Sequence, residues 1–280
     1  VGKRRHRRHR SETRDRCPSR WLECGYPFEG MSVDKDGSPQ RASHPGIWPR
    51  APWALRLRHS RTMLRMARLA RAPCTKPETY SLRPFIETRS IFVHIPKCAG
   101  ISVLQALYRC RGGGHLTLHD YAMFFGPRLE SMFVFTFLRH PVDRLASAFR
   151  FLAAGGLTHE DAAWAQAQLV GVDTFQQFVL EHVDRRLMNS VVHLRPQWEF
   201  LDVAGQLGPL DFIGCVEDLK EGVRYVATVL GRPVVLTHEN RSLGTSSAAR
   251  TYSRDVVRRI EELYATDMEL YAGSCRSHAP

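Results

Sequence analysis

The sequence has no stretch approaching the ~18 consecutive apolar residues that a membrane-spanning helix needs. Its basic beginning also lacks the apolar core of a secretory signal. The expectation is a cytoplasmic, soluble protein, with peripheral membrane attachment as the alternative. Cysteines are few and scattered: Cys17, Cys24, Cys74, Cys98, Cys110, Cys215 and Cys275 form no CxxC pair and no paired Cys/His zinc spacing. Neither a disulfide framework nor structural zinc is indicated, and the set reads as reduced thiols. The Walker A pattern GxxxxGK[ST] is absent. Lysine is scarce, supplying only Lys3, Lys35, Lys76, Lys97 and Lys220 of the 40 basic residues, so overall pI reflects an arginine bias more than a function.

What is present divides unevenly. Residues 1–90 hold 21 Lys+Arg against 8 Asp+Glu, and the remainder holds 19 against 20, so all of the excess positive charge lies in the first third. Residues 1–84 carry "KRRHRRHR" and then Pro, Gly and Ser scattered among Trp and Arg, with no sustained periodicity. This stretch reads as a disordered basic leader whose charge suits acidic surfaces. The exception is 53–72, where Leu57, Leu64, Ala67 and Leu69 suggest a short cationic amphipathic helix suited to acidic lipid or RNA phosphates. Residues 85–274 form the expected domain, long enough to bury a core, and 275–280 a short tail.

Within that domain, apolar runs at 90–95, 132–138 and 210–217 read as buried strands. Helical spacing follows at 101–109, from Pro141 onward (Val142, Leu145, Ala146, Phe149, Leu152), at 159–169 and 174–182 behind Thr158/Asp161 and Asp173/Gln176 caps, at 218–230, and at 254–271. Alternating strands and helices predict an α/β fold: a three-layer sandwich with a mainly parallel central sheet. In such sheets ligands bind beyond the carboxyl ends of the strands.

Two of those ends carry cations. "FVHIPKCAGIS" (92–102) turns from a strand through Lys97 and Gly100 into a helix, with Ser102 at its start. Free amides and the helix dipole favour phosphate there, Gly100 lets the backbone approach, and Lys97 adds a full charge. "FVFTFLRHPVDRLASAFRFL" (133–152) repeats the layout with Arg139, whose planar fork suits phosphate, and Ser147. Two such turns imply a ligand with two anionic groups. Between them lies "GHLTLHDY" (114–121), in which His115 is a candidate general base and His119 its nearest rival. Metal binding by the two histidines is disfavoured, because Gly112–Gly114 and Thr117 interrupt a helix.

"HIPKCAGISV" followed by "FLRHPVDRLASAFR" resembles the paired signature of sulfotransferases that use 3′-phosphoadenosine 5′-phosphosulfate (PAPS), specifically the heparan and chondroitin carbohydrate group, over about 88–272. The resemblance implies a P-loop NTPase-like topology, PAPS as donor, PAP as product and no metal. It implies a hydroxyl acceptor on a glycan or glycolipid and no nucleic acid for the domain. It places Lys97, Cys98, Ala99, Gly100, Ile101 and Ser102 at the 5′-phosphosulfate, and Arg139 and Ser147 at the 3′-phosphate. Lys97 would also neutralise the leaving phosphate. Cys98 and Ile101 stand where that family often has hydroxyl residues. The GHxxxxD pattern of uronyl 2-O-sulfotransferases points to His115 as base, "VVHLRPQWEF" (191–200) implies acceptor contacts from His193, Arg195 and Gln197, and "THENRSLGTSS" (237–247) a nucleotide-covering loop with Asn240, Arg241 and Ser242. A P-loop-type kinase is the first alternative, opposed by the missing GK[ST] and Walker B carboxylate. An Arg-rich nucleic-acid-binding protein is the second, opposed by the near-neutral charge of 91–280.

Overall fold

The computed structural model describes residues 60–234 and 252–275. Its centre is a parallel sheet of β1 (Ser90–Val93), β2 (Phe133–Leu138) and β5 (Phe212–Cys215), in the order β1-β2-β5. Every residue of β1 and β2 is buried, which is why both read as unbroken apolar runs without alternation. The register pairs Val93 with Thr136 and Leu138 with Cys215, so the strands end together at one rim. The Thr136 hydroxyl donates to the Val93 carbonyl at 2.9 Å. A small hairpin, β3 (Asp202–Val203) and β4 (Gln206–Leu207), stands apart from this sheet.

Helices flank the sheet. In chain order they are α1 (Ser60–Arg71), α2 (Arg83–Thr88), α3 (Gly100–Tyr108), α4 (Leu118–Phe125), α5 (Pro141–Ala153), α6 (His159–Gln168), α7 (Arg185–Ser190), α8 (Trp198–Leu201), α9 (Leu219–Val229), α10 (Arg254–Leu263) and α11 (Ala265–Ser274), with a further helical stretch over 175–182 between α6 and α7. The expected α/β architecture with a mainly parallel central sheet is the one observed. The main core gathers Ile91, Phe92, Phe135, Phe137 and Leu104 about the sheet, and a second apolar cluster joins Leu145, Phe149, Phe178 and Ile260 on the α5 side. Each such side chain fully buried contributes about 1.5–3 kcal/mol.

Three features depart from the sequence reading. Residues 60–84, expected within the leader, include a helix packed on the domain: Met66 and Leu82 have no exposed surface, and the Leu82 amide donates to the Leu69 carbonyl at 3.0 Å. The buried face of α1 is centred on Met66, while Leu64 is exposed; Leu57 lies outside the described residues. The continuous helix expected over 254–271 breaks at Tyr264, whose hydroxyl donates to the Leu194 carbonyl at 2.7 Å, so that α10 serves the second cluster while α11 turns Asp267 inward. Cys215 and Cys275 are joined by a disulfide across 60 residues, which corrects the expectation of reduced thiols throughout. No short motif marks that pair, because the fold alone brings the end of β5 and the end of α11 within a Cα–Cα distance of 6.0 Å. Among the described residues no helix is long and apolar enough to cross a membrane.

Candidate active site

The rim where β1 and β2 end carries both cationic turns. After β1 the chain leaves extended geometry, and Lys97 and Ala99 adopt left-handed backbone conformations (φ 67° and 56°) on either side of Cys98. Alternation of this kind turns successive amides toward one concavity suited to an anion. Ala99 offers no capping side chain to α3, so the first-turn amides and the positive end of the helix dipole face the same place. At Gly100 a Cβ would collide with the imidazole of His94, so close packing of that ring requires glycine.

Lys97 is half-buried, with Nζ 4.0 Å from the ring centroid of Phe151 on α5. Burial, then the charges of Arg139 and Arg150, push its pKa down from 10.5 to about 8. The charges of a loop arginine and a helix arginine therefore both act on Lys97. Arg139 Nη1 donates to the Lys97 carbonyl at 3.4 Å. Ser147 is half-buried on α5, one turn before Phe151 and so on the face beneath Lys97. Ile101 and Ser102 are likewise half-buried in the first turn of α3.

His115 packs against His94, the residue that follows β1. Its Nδ1 lies 3.0 Å from the His94 main-chain oxygen. A carbonyl only accepts, so Nδ1 carries the proton and Nε2 keeps its lone pair. Burial lowers its pKa, Arg144 and Lys97 push the same way, and the His94 bond and Asp161 oppose them. The imidazole is thus neutral near pH 7. His119 sits in α4 beyond the Thr117 cap, so the two histidines share no helix face.

The segment 191–200 behaves differently from its expected role. Gln197 has no exposed surface. Its Oε1 accepts from the Arg139 amide at 3.1 Å and the Cys98 thiol at 3.2 Å, and its Nε2 donates to the Arg139 carbonyl at 2.9 Å. Gln197 therefore joins the two anion turns instead of meeting an acceptor. The same bond turns the Cys98 side chain away from the concavity, and burial pushes its thiol up to about 12, so no phosphate contact comes from that sulfur. Arg195 is tied to Glu199 at 3.2 Å and lies over the Phe200 ring. His193 is buried, with Nε2 3.1 Å from Asp161 Oδ1. Asn240, Arg241 and Ser242 lie outside the described residues.

Two buried charges escaped the sequence reading. Arg144, 1% exposed, donates to the carbonyls of Pro96 (3.0 Å), Arg195 (2.7 Å) and His193 (3.4 Å), clamping the Lys97 turn to the 191–196 segment. Asp267 accepts from the Gln197 and Trp198 amides at 2.7 and 2.9 Å. The only sequence signal was a charge set among apolar positions of α5; Asp267 gave none. Among the described residues no group of three or more His, Cys, Asp or Glu is placed to hold a metal ion.

The resulting arrangement sets Lys97 and Arg139 at a helix start, with a neutral imidazole held at the end of the same strand, and its chemistry suits phosphate-type anions. The model of the Sulfotransferase family matches residues 87–272, about two thirds of the chain. No curated protein and no solved structure matches it.

Proposed function

The chain belongs to the sulfotransferase family, and from that premise we propose that it moves the sulfuryl group of PAPS to a hydroxyl of a carbohydrate acceptor. The carrying observation is Lys97 in the turn before α3, its carbonyl bonded by Arg139 and its pKa lowered by burial and by the charges of Arg139 and Arg150, with a neutral His115 held at the end of the same strand. That donor bears anionic groups at two ends, and the fit rests on two turns locked together by Gln197. Lys97 and the amides of Gly100 and Ile101 would hold the 5′ end, and Arg139 with Ser147 the 3′-phosphate. When bound, the donor supplies an activated sulfuryl group and a phosphate leaving group.

The chain's own residues do the rest by position and charge. His115 Nε2 accepts the acceptor's hydroxyl proton while the His94 carbonyl holds the ring by its other nitrogen. Transfer forms the bond from acceptor oxygen to sulfur and breaks the bond from sulfur to phosphate oxygen. Lys97 neutralises the charge that appears on that phosphate. Phe151 beneath Lys97 fixes the ammonium without neutralising it, as a carboxylate would. The disulfide favours residence in an oxidising compartment over the cytoplasm.

Thermal shift with PAP, ATP and ADP tests the donor, because a ligand at 100 times its Kd stabilises by about 2.7 kcal/mol. PAP should raise the unfolding temperature most, and Lys97→Ala should cut sulfotransfer by orders of magnitude with the fold intact. Stabilisation by ATP alone would favour the kinase reading instead.

A further inference from the structure

We propose that Asp161 and His193 form a positioning pair for the base, holding the imidazole of His115 and stabilising it once it has taken the acceptor's proton. The inference rests on the sulfotransfer reading above, and neither residue touches the reacting atoms. The geometry begins with a glycine turn. Gly156 has φ +69°, and a Cβ there would collide with the Asp161 side chain, its Cβ first. Asp161 Oδ2 then accepts from the amides of Leu157 (3.0 Å) and Thr158 (3.1 Å) in the capping box of α6. Its second oxygen, Oδ1, is left to meet His193 Nε2 at 3.1 Å.

An ionised carboxylate only accepts, so His193 carries its proton on Nε2. The pair is a neutral imidazole on a carboxylate, since burial pushes His193 down to about 4 while Asp161 also stays below its usual range. His193 is held by Arg144 at its carbonyl, packs edge-on against Phe151 at 4.7 Å, and meets the His115 ring edge to face at 5.7 Å. Both side chains of the pair are about nine-tenths buried. His193 Nδ1 is buried without a hydrogen-bond partner among the described residues, so the pair spends its one strong bond on orientation.

The charges around His115 explain why a base here needs such a neighbour. From the end of β1 comes His94, from the following turn Lys97, from α5 Arg144, and beyond His94 lies Arg111. Asp120, the nearest carboxylate in sequence, is turned to cap α4 through Thr117. Asp161 is the acidic group that acts on His115. An imidazolium forming between Lys97 and Arg144 is opposed by both, and the Asp161 carboxylate, held in place by its bond to His193, offsets them. The pair therefore favours the protonated base over the neutral one.

The test is a titration of isotope-labelled histidine by NMR, without nucleotide and with PAP, in the parental protein, Asp161→Asn, Asp161→Glu and His193→Phe. Turnover is followed alongside on desulfated glycosaminoglycan chains. Asp161→Asn should move the His115 midpoint to lower pH and reduce kcat roughly 10- to 100-fold, below the ~10²–10⁴ that a general base itself contributes, with KM unchanged. Asp161→Glu should restore part of both. His193→Phe leaves the α6 cap intact but removes the Nε2 bond that holds Asp161 Oδ1 and orients the ring against His115, so it should give both effects in weaker form and decides the matter if the Asn variant unfolds. A His115 midpoint and a kcat that stay at parental values in His193→Phe overturn the pairing. A parental protein that PAP fails to stabilise sinks the donor assignment, while the nucleotide-free titration still judges the pair.

Discussion

Gly100→Ala is the smallest change that probes the site, and two effects of opposite sign compete in it. Alanine is the better helix former by about 0.8–1 kcal/mol in a helix interior. Gly100 is the first residue of α3, where that gain is smaller. Against it stands the collision of the new methyl with the His94 imidazole. The ring cannot step aside: it is 8% exposed, stacked on Phe92 at 5.8 Å and against His115 at 4.4 Å. Overpacking of this kind costs about 1–3 kcal/mol, so the clash wins by about 1–2 kcal/mol. In a domain of this size that lowers Tm by about 2–8 °C. PAP affinity should fall as well, because the same shift moves the amides that open α3. Differential scanning calorimetry reads the first effect and PAP titration the second. His94→Ala gives a control in the form of a double-mutant cycle: in that background the methyl has room, and Gly100→Ala should become neutral or slightly stabilising. Equal cost in both backgrounds would refute the steric account.

Other outcomes follow from the same geometry. Lys97, with its pKa near 8 against 10.5 in an unfolded chain, is partly neutral above pH 8. A bound phosphate favours the charged form, so PAP binding at pH 8.5–9 should take up a proton, seen as a dependence of binding enthalpy on buffer ionisation heat, and affinity should fall as pH rises through about 8. In the nucleotide-free protein the sign reverses: the unfolded chain holds the Lys97 proton longer, so this group makes stability rise with pH between about 8 and 10.5. Cys215→Ser or Cys275→Ser opens a 60-residue loop and should cost about 4 kcal/mol by the chain-entropy estimate, measured by denaturant unfolding with and without reductant.

The strands and the two turns were legible because their signals are local. β1 and β2 are apolar without interruption, and Pro141 and the Thr158/Asp161 box mark helix starts within a residue or two. What the sequence could not display was pairing across distance. Gln197 and Asp267 are 70 residues apart and meet through a backbone amide, which any residue type carries. Cys98 looked like a phosphate-loop residue by position, yet its sulfur faces Gln197, 99 residues on. Residues 60–84 were hidden by composition: an arginine-rich helix reads as solvated unless one knows that Met66 has a core to enter.

Those long-range bonds explain how an anion site can be cationic in a domain that is not. Residues 91–280 are nearly balanced in charge, so long-range attraction would bring an anionic donor little advantage. The local field comes from proximity instead: Arg139 bonds the Lys97 carbonyl, and its charge and that of Arg150 act on Lys97. Such like charges repel, and after burial that repulsion is what lowers the Lys97 pKa. The fold must therefore hold the two turns together against it. Gln197 does so directly, by bonding the main-chain N–H and carbonyl of Arg139 and the Cys98 thiol. Asp267 fixes Gln197 from α11, and the Cys215–Cys275 disulfide ties the end of α11 back to β5, the neighbour of β2. The disulfide thus lies at the far end of the same chain of contacts that keeps the cations in place, and reducing it should weaken PAP binding as well as stability.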